Sequence, residues 1–248
     1  MSSNLATKLR VGTKKAHTIA ENVGFVKCFL KGVVEKNSYR KLVANLYFAY
    51  SAMEEEMEKH RNHPIVSKIN FVELHRKHSL EQDLSYYYGV NWREEIKLSP
   101  AGAAYVQRIR EVSEKEPELL VAHSYTRYLG DLSGGQILKG IAQTAMNLSD
   151  GQGLAFYEFD DIADEKAFKV KYRQALDELP IDDATGDAPA GSRSQSDRIV
   201  DEANAAFGMN MKMFQELEGN LIKAIGVMVY NSLTKRRTRG STELATAE

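Results

Sequence analysis

Apolar residues recur at helical spacing along most of this 248-residue chain, and this periodicity constrains the fold more than any other feature. Alternating apolar and polar runs, which are typical of strands, are almost absent, and only 5 prolines interrupt the pattern. Neither of the two common glycine-rich phosphate-binding motifs occurs. The sequence therefore predicts an all-α fold in a single domain and excludes a parallel-sheet nucleotide-binding fold.

Local start and stop signals bound the predicted helices. Ser38 is a predicted N-cap, and Ser79 with Gln82 forms a capping-box pattern. Gly89 is a predicted helix end, and Pro100 is predicted to occupy the first position of a helix. After an N-terminal amphipathic helix, the predicted helices cover about 38–57, 79–89, 100–117, 118–148, 164–179 and 197–236.

Two segments differ in composition from the helices. Asp182–Ser196 consists mainly of small polar residues with glycine and proline, so we predict a flexible connector there. The domain is predicted to cover 1–235, and the polar tail 236–248 is predicted to be disordered.

Composition indicates which partners and which cellular compartment to expect. A net charge of −1 excludes a broad basic surface for nucleic acid. The single cysteine, Cys28, excludes an internal disulfide and fits a reducing compartment. No secretory signal is visible, and no apolar run approaches the roughly 20 residues that span a membrane. We therefore expect a cytoplasmic protein with no nucleic-acid or membrane partner.

A helical segment near the middle of the chain carries three glycines within six residues. Each of Gly130, Gly134 and Gly135 lowers helix stability by roughly 1 kcal/mol relative to alanine. Such a sequence makes sense where a flat or bulky group approaches the backbone, or where the helix bends. Asp131 adds an ionisable group to the same segment. The segment is therefore predicted to form one wall of a ligand site.

Several residue patterns resemble metal sites but have simpler interpretations. The pairs His60 with His63 and His75 with His78 have ligand-like spacing but polar surroundings, which favours surface roles. No histidine follows a glutamate by three positions, so the di-iron carboxylate class is excluded. Met211 continues an apolar stripe and is predicted to pack in the core rather than to bind copper.

Two pairs at four-residue spacing carry a different signal. Glu21 follows His17 by one helical turn, so its carboxylate can orient the imidazole towards a metal, although a surface pair remains the alternative. Lys169 and Arg173 place two cations on one helix face, which is favourable if an anion lies between them. A solvated basic face is the alternative for this second pair.

Three segments together resemble the haem (heme) oxygenases. They are Lys14–Asn22, Leu119–Lys139 and Phe168–Arg173, and the resemblance extends from about residue 3 to about residue 235. The sequence is most similar to the soluble cyanobacterial and plastid branch of this family. The resemblance implies a helical domain that holds haem b between a proximal helix and a kinked distal helix.

The resemblance also implies roles for individual residues. His17 would bind the iron, with Glu21 as its hydrogen-bonding partner, and Asp131 would deliver a proton through a water network. Gly130, Gly134 and Gly135 would let the distal backbone approach the oxygen ligand. The implied contacts to the haem propionates and the haem face come from Arg10, Tyr125, Lys169, Arg173 and Phe207.

The implied reaction is O₂-dependent cleavage of haem at the α-meso carbon to biliverdin IXα, CO and ferrous iron, by a monomer. The implied electron donor is ferredoxin or a similar acidic protein. Its predicted docking surface includes Lys14, Lys15, Arg127, Lys139 and Lys171.

Two rival functions remain open at this point. One is a haem-transfer protein without turnover. The other is a helical interaction module in which Gly130-x-x-x-Gly134 serves helix–helix packing.

Overall fold

A computed structural model describes residues 4–149, 151–183 and 193–218, and every regular element in these ranges is helical. The absence of strands from the described residues agrees with the predicted all-α class. The helices are α1 Leu5–Gly12, α2 Lys14–Glu21, α3 Gly24–Leu30, α4 Lys36–Lys59, α5 Lys77–Tyr88, α6 Trp92–Glu95, α7 Pro100–Lys115, α8 Leu120–Ser124, α9 Gly130–Met146, α10 Glu165–Asp177 and α11 195–218. Short 3₁₀ helices cover Val66–Lys68, Val72–Leu74, Pro117–Leu119 and Ala155–Tyr157.

Helix α4 is the central element of the core. It packs against α5, α7 and α8, and its buried residues lie on more than one face. Tyr50, Met53 and Met57 are fully buried, so the helix contacts neighbours on several sides rather than along one stripe. α10 packs against α1, and α3 packs against α9. These contacts bring the N-terminal helices close to the glycine-bearing segment.

The predicted N-terminal amphipathic helix is divided into two. α1 ends at Gly12, and α2 begins at Lys14. Thr13 between them is buried, and its hydroxyl donates to the carbonyl of Leu9 at 2.7 Å. α2 itself has no buried residue. It therefore presents His17 towards open space rather than into the core.

Two predicted helix starts are wrong. α4 begins earlier than expected, because the Glu35 carboxylate, not Ser38, accepts the first backbone N–H groups. α5 begins at Lys77 without a side-chain cap, and Gln82 bonds to His78 rather than closing a capping box with Ser79. In both cases the cap pattern lies one turn or less inside the actual helix.

Three other boundary predictions are confirmed. The Ser99 hydroxyl accepts from the N–H of Gly102, with Pro100 in the first turn. Asp164 caps α10 through two backbone N–H groups. Gly89 ends α5 with φ +82°, a conformation that favours glycine.

The predicted 118–148 helix is irregular, and the irregularity is a π turn. Tyr125–Leu129 forms a π-helical turn between α8 and α9. A π turn inserts one extra residue and shifts the helix register, and such turns are frequent at functional sites. The departure from regular α-helix therefore lies just before Gly130 rather than at the glycines themselves.

Helix α11 packs against the core as predicted. Met213 is buried at 1% exposure, and Met211 is partly buried and packs against the core. Residues 219–236 of the predicted helix and the tail 236–248 lie outside the described residues. The same holds for residues 184–192 of the predicted connector, while Asp183 and Ser196 at its ends bond to each other.

Candidate functional site

Two adjoining cavities form a slot between the N-terminal helices and α9. Their volumes are about 360 and about 870 Å³, within the range of small-molecule sites. We call the first the apolar cavity and the second the cationic cavity. The residues that line both are His17, Glu21, Thr126, Gly130, Gly134 and Phe207.

The walls of the apolar cavity are mostly aromatic and aliphatic. α3 contributes Phe25 and Phe29, α4 contributes Leu42, and α11 contributes Phe214. Phe25 and Phe214 lie parallel, with ring centroids 5.9 Å apart. Surfaces of this kind favour a large apolar group, because its burial removes hydrocarbon from water.

The cationic cavity carries the positive charge. Arg10, Lys14 and Arg173 line it together with Tyr125. Cations of this kind bind carboxylates, and guanidinium groups can do so through two parallel hydrogen bonds. The complete slot therefore suits a flat molecule with an apolar body and acidic substituents.

Lys169 is not brought to the slot with the other predicted cations. It lines neither cavity, and its ammonium donates to the backbone carbonyl of Leu132 at 3.2 Å. Its partner in the predicted pair, Arg173, does line the cationic cavity. The role predicted for Lys169 stays a prediction.

The imidazole of His17 lies on the α2 wall of the slot. Its Nδ1 is 3.5 Å from the Glu21 carboxylate, and both side chains are more than half exposed. Phe207 from α11 meets the imidazole edge-on at a centroid distance of 5.6 Å. No hydrogen bond to Nε2 occurs in the described part of the chain, so this nitrogen is available to a ligand. This arrangement is the one expected for an imidazole that holds a metal.

The glycines of α9 form the opposite wall. A Cβ atom placed on Gly130 or Gly134 would meet no atom of the described residues within 4 Å. A Cβ on Gly135 would lie 3.5 Å from the Tyr157 ring, an ordinary contact. Because no helix approaches Gly130 and Gly134, the described structure gives no support to the helix-packing module. The missing side chains instead leave room inside the slot.

Asp131 projects from the same wall and belongs to a hydrogen-bonded chain. The Tyr50 hydroxyl donates to its carboxylate, and Arg127 Nε donates to the Tyr50 oxygen at 3.0 Å. Arg127 also donates to the Asn210 side chain at 2.6 Å. Burial raises the pKa of the Asp131 carboxyl, and the positive charge of Arg127 and the Tyr50 hydrogen bond oppose that rise.

Sequence analysis missed Tyr50 and Asn210 as site residues and misassigned Arg127. Tyr50 follows the apolar stripe of α4, and nothing in its local sequence distinguishes it from a core tyrosine. The prediction that Arg127 belongs to an outer docking surface is wrong, because it lines the apolar cavity and bonds to Tyr50 and Asn210. The π turn is the structural feature that carries Arg127.

The other histidines have structural partners. His60 bonds to Ser113, His75 bonds to Asn70, and His63 Nδ1 accepts backbone N–H groups. His123 is fully buried against Glu202. No group of three or more potential metal ligands occurs among the residues that the structure describes. Of these histidines, only His17 faces the slot.

Comparison with known proteins decides the family. The family model "Heme oxygenase" matches residues 3–216. The chain belongs to the haem oxygenase family. It is 81% identical over its full length to heme oxygenase 1 of Nostoc sp. and 72% identical to heme oxygenase 1 of Synechocystis sp., with complete coverage of both relatives. These identities confirm the resemblance to the cyanobacterial and plastid branch.

Solved structures of haem oxygenases share the fold. The crystal structure of heme oxygenase-1 from Synechocystis in complex with heme has a TM-score of 0.86 and 73% identity, covering 93% of this chain and 99% of that chain. Heme oxygenase-2 from the same organism, in complex with heme and NO, has a TM-score of 0.85 at 47% identity, covering 94% and 93%. The helical haem oxygenase fold class predicted from sequence is confirmed. In the described residues, no helix combines the length and apolarity that crossing a bilayer requires.

Proposed function

We propose that this chain opens haem b at the α-meso carbon with O₂, giving biliverdin IXα, CO and ferrous iron. As a haem oxygenase it is an enzyme, and haem is both its substrate and its prosthetic group. One observation carries the proposal. The His17 imidazole, with its Nε2 free, faces the glycines of α9 across a slot formed by the apolar cavity and the cationic cavity. A haem-transfer protein would need no acid on the second wall, so Asp131 favours the enzyme.

Different residues of the chain bind haem and orient it. Bound haem supplies the iron that activates O₂ and the meso carbon that is oxidised. His17 would hold the group from the α2 side, and the Glu21 carboxylate, 3.5 Å from Nδ1, would orient the imidazole. Arg10, Tyr125 and Arg173 would bind the propionates and so orient the group.

The α9 wall of the slot supplies an acidic group and leaves room for the ligand. Gly130 and Gly134 leave the α9 side of the slot free of side chains, and Phe207 and Phe214 line the slot with apolar rings. Asp131 would hold the proton that the reaction needs on this side of the slot, because burial raises the pKa of its carboxyl. Burial raises the pKa of the Tyr50 phenol, which therefore stays protonated and keeps donating to Asp131.

A soluble acidic protein such as ferredoxin supplies the electrons in this proposal. Lys14 and Lys15 on α2 are exposed and make no ion pair within the described residues, and Lys14 also lines the cationic cavity. We also propose that the protein acts in the cytoplasm as a monomer.

Reconstitution tests the proposal directly. The purified chain is mixed with haem, ferredoxin, its reductase, NADPH and O₂, and the products are separated by chromatography. We expect the Soret band to decay and biliverdin IXα to form. His17→Ala should abolish the native iron coordination spectrum and turnover, whereas His78→Ala, which alters a histidine on α5, should change neither. A chain that binds haem without consuming it would favour the transfer protein instead.

A further inference from the structure

A buried carboxylate outside the slot holds one part of the slot wall. Asp83 on α5 is 1% exposed and lines neither cavity. Its Oδ1 accepts from the backbone N–H of Ala155 at 2.7 Å, and its Oδ2 accepts from the N–H of Phe156 at 2.9 Å. The two oxygens thus bind two successive N–H groups of the short helix Ala155–Tyr157, which we call the 155–157 turn.

The side chains of the 155–157 turn reach the reactive side of the slot. Phe156 and Tyr157 both line the apolar cavity. Phe156 meets the ring of Tyr50 edge-on at a centroid distance of 5.5 Å, and Tyr50 is the residue that donates to Asp131. Tyr157 packs 3.5 Å from the Cβ position of Gly135. The turn therefore touches both the acid's partner and the glycine helix.

Two further contacts fix the turn between α5 and α9. The Gln136 side chain on α9 donates to the carbonyl of Tyr157 at 3.1 Å. Gly153, with φ +75°, lies so close to α5 that a Cβ there would be 2.6 Å from Tyr86 and 2.8 Å from Tyr87. The approach to Asp83 is therefore set by close packing as well as by hydrogen bonds.

The surroundings of Asp83 make its two hydrogen bonds important. Burial raises the pKa of this carboxyl to about 6, and the two N–H bonds oppose the rise. The hydroxyls of Tyr39, Tyr87 and Tyr157 interact electrostatically with Asp83, and burial raises the pKa of each phenol and keeps it protonated. No ion pair to Asp83 occurs within the described ranges. The turn's own N–H groups are thus its main stabilising partners.

We propose that Asp83 is a positioning residue for haem cleavage, which sets the 155–157 turn against Tyr50 and Gly135 and so fixes where the glycine wall stands over the haem edge. The inference rests on the proposed function. An asparagine at this position offers only one acceptor oxygen for two converging N–H groups, so the turn loses one bond and its fixed orientation.

The test compares Asp83→Asn with Asp160→Asn, an exposed aspartate in the same loop. Amide hydrogen exchange at Ala155 and Phe156 is measured in the haem-free protein, and biliverdin isomers are resolved by chromatography in the haem-loaded protein. For Asp83→Asn we expect at least tenfold faster exchange at these amides, a mixture of isomers in place of one, and haem affinity within about twofold of the parent chain. Asp160→Asn should match the parent chain in all three.

The outcomes are separable. An Asp83→Asn protein that is merely less stable, with the same isomer pattern and turnover, would show a structural role only and overturn the proposal. Unchanged exchange at Phe156 would overturn it as well. If Asp83→Asn fails to fold, Gln136→Ala removes the turn's exposed tether to α9 and should shift the isomer pattern in the same direction. If the parent chain forms no biliverdin, the proposed function fails, while the haem-free exchange still tests the contact itself.

Discussion

The pKa and the orientation of the Asp131 carboxyl depend on residues that lie far away in the sequence. The hydrogen bond from Tyr50 joins residues 81 positions apart, and Arg127 connects the pair to α11 through Asn210. Burial raises the pKa of this half-buried carboxyl, and the hydrogen bond from the Tyr50 phenol fixes its direction. A group of this kind can give up a proton in a site from which bulk water is excluded.

Replacing Asp131 with alanine should leave haem bound and remove proton delivery. We expect biliverdin formation to fall by about 10² or more, the usual range for a general acid, with diversion to peroxidase-like products. Single-turnover spectroscopy with product chromatography measures this. Asp161→Ala, at an exposed position, is the control. Unchanged biliverdin formation in Asp131→Ala would remove the proton-delivery role.

The glycines of α9 allow stability and function to be separated at the scale of single residues. Gly134 lines the slot, whereas Gly140 lies on the same helix, lines neither cavity and has no atom near its Cβ position. Because alanine favours helix by about 1 kcal/mol over glycine, either substitution to alanine should raise the Tm of the haem-free protein by about 2–4 °C.

Only Gly134→Ala should disturb haem. A methyl group in the slot costs about 1–3 kcal/mol, so haem affinity or turnover should fall at least about fivefold, while Gly140→Ala keeps parent values. Scanning calorimetry and haem titration measure the two effects. Equal haem behaviour in both variants would mean that the Gly134 wall does not approach the bound ring.

At the scale of elements, α11 depends on a buried ionic cluster. The Glu202 carboxylate binds Arg108 of α7 through two hydrogen bonds and His123 of α8 at 3.1 Å. These bonds hold the pKa of Glu202 at about 2, below its usual value, against the opposing effect of burial. The cluster fixes the helix that supplies Phe207 and Asn210 to the slot.

Glu202→Gln should destabilise the protein by an amount that depends on pH. A depressed carboxyl pKa stabilises the folded state above the unfolded-state value and loses that effect as pH falls through the folded-state value. The difference in unfolding free energy should therefore be on the order of 2–3 kcal/mol at pH 7 and shrink between about pH 4.5 and pH 2. Denaturant unfolding of both proteins across pH measures it. Glu111→Gln, at a half-exposed partner of Arg108, should change stability by less than about 1 kcal/mol.

At the scale of the whole molecule, ion pairs restrict the surface that can receive an electron donor. Lys139 is paired with Glu158, and Lys171 lies 3.5 Å from Glu73. Of the five cations first assigned to docking, only Lys14 and Lys15 are both exposed and outside such pairs in the described chain. The proposed acidic donor therefore meets α2, the helix that also carries His17.

Turnover with ferredoxin should depend steeply on ionic strength. We expect the KM for ferredoxin to rise several-fold between low salt and about 0.5 M salt, because screening weakens attraction between exposed charges. Lys15→Glu should raise this KM at low salt, whereas Lys68→Glu, at an exposed lysine that lines neither cavity, should not. Flat salt dependence would remove the electrostatic docking surface.

Local sequence is enough to predict the helical class, several helix boundaries and the segments that form the slot. Helical periodicity, Pro100 at a helix start and Gly89 at a helix end involve residues only a few positions apart, so the sequence shows them directly. The helix-destabilising effect of the glycines in α9 likewise indicates a wall over a ligand from sequence alone.

How those segments meet depends on contacts between distant parts of the chain. Three hydrogen bonds each join residues more than 70 positions apart. They link Tyr50 to Asp131, Arg127 to Tyr50 and Asp83 to the 155–157 turn. Whether a tyrosine is core or catalytic partner depends on which helix packs beside it. That packing is a property of the folded chain, because no local pattern specifies which distant atom fills a hydrogen-bonding position.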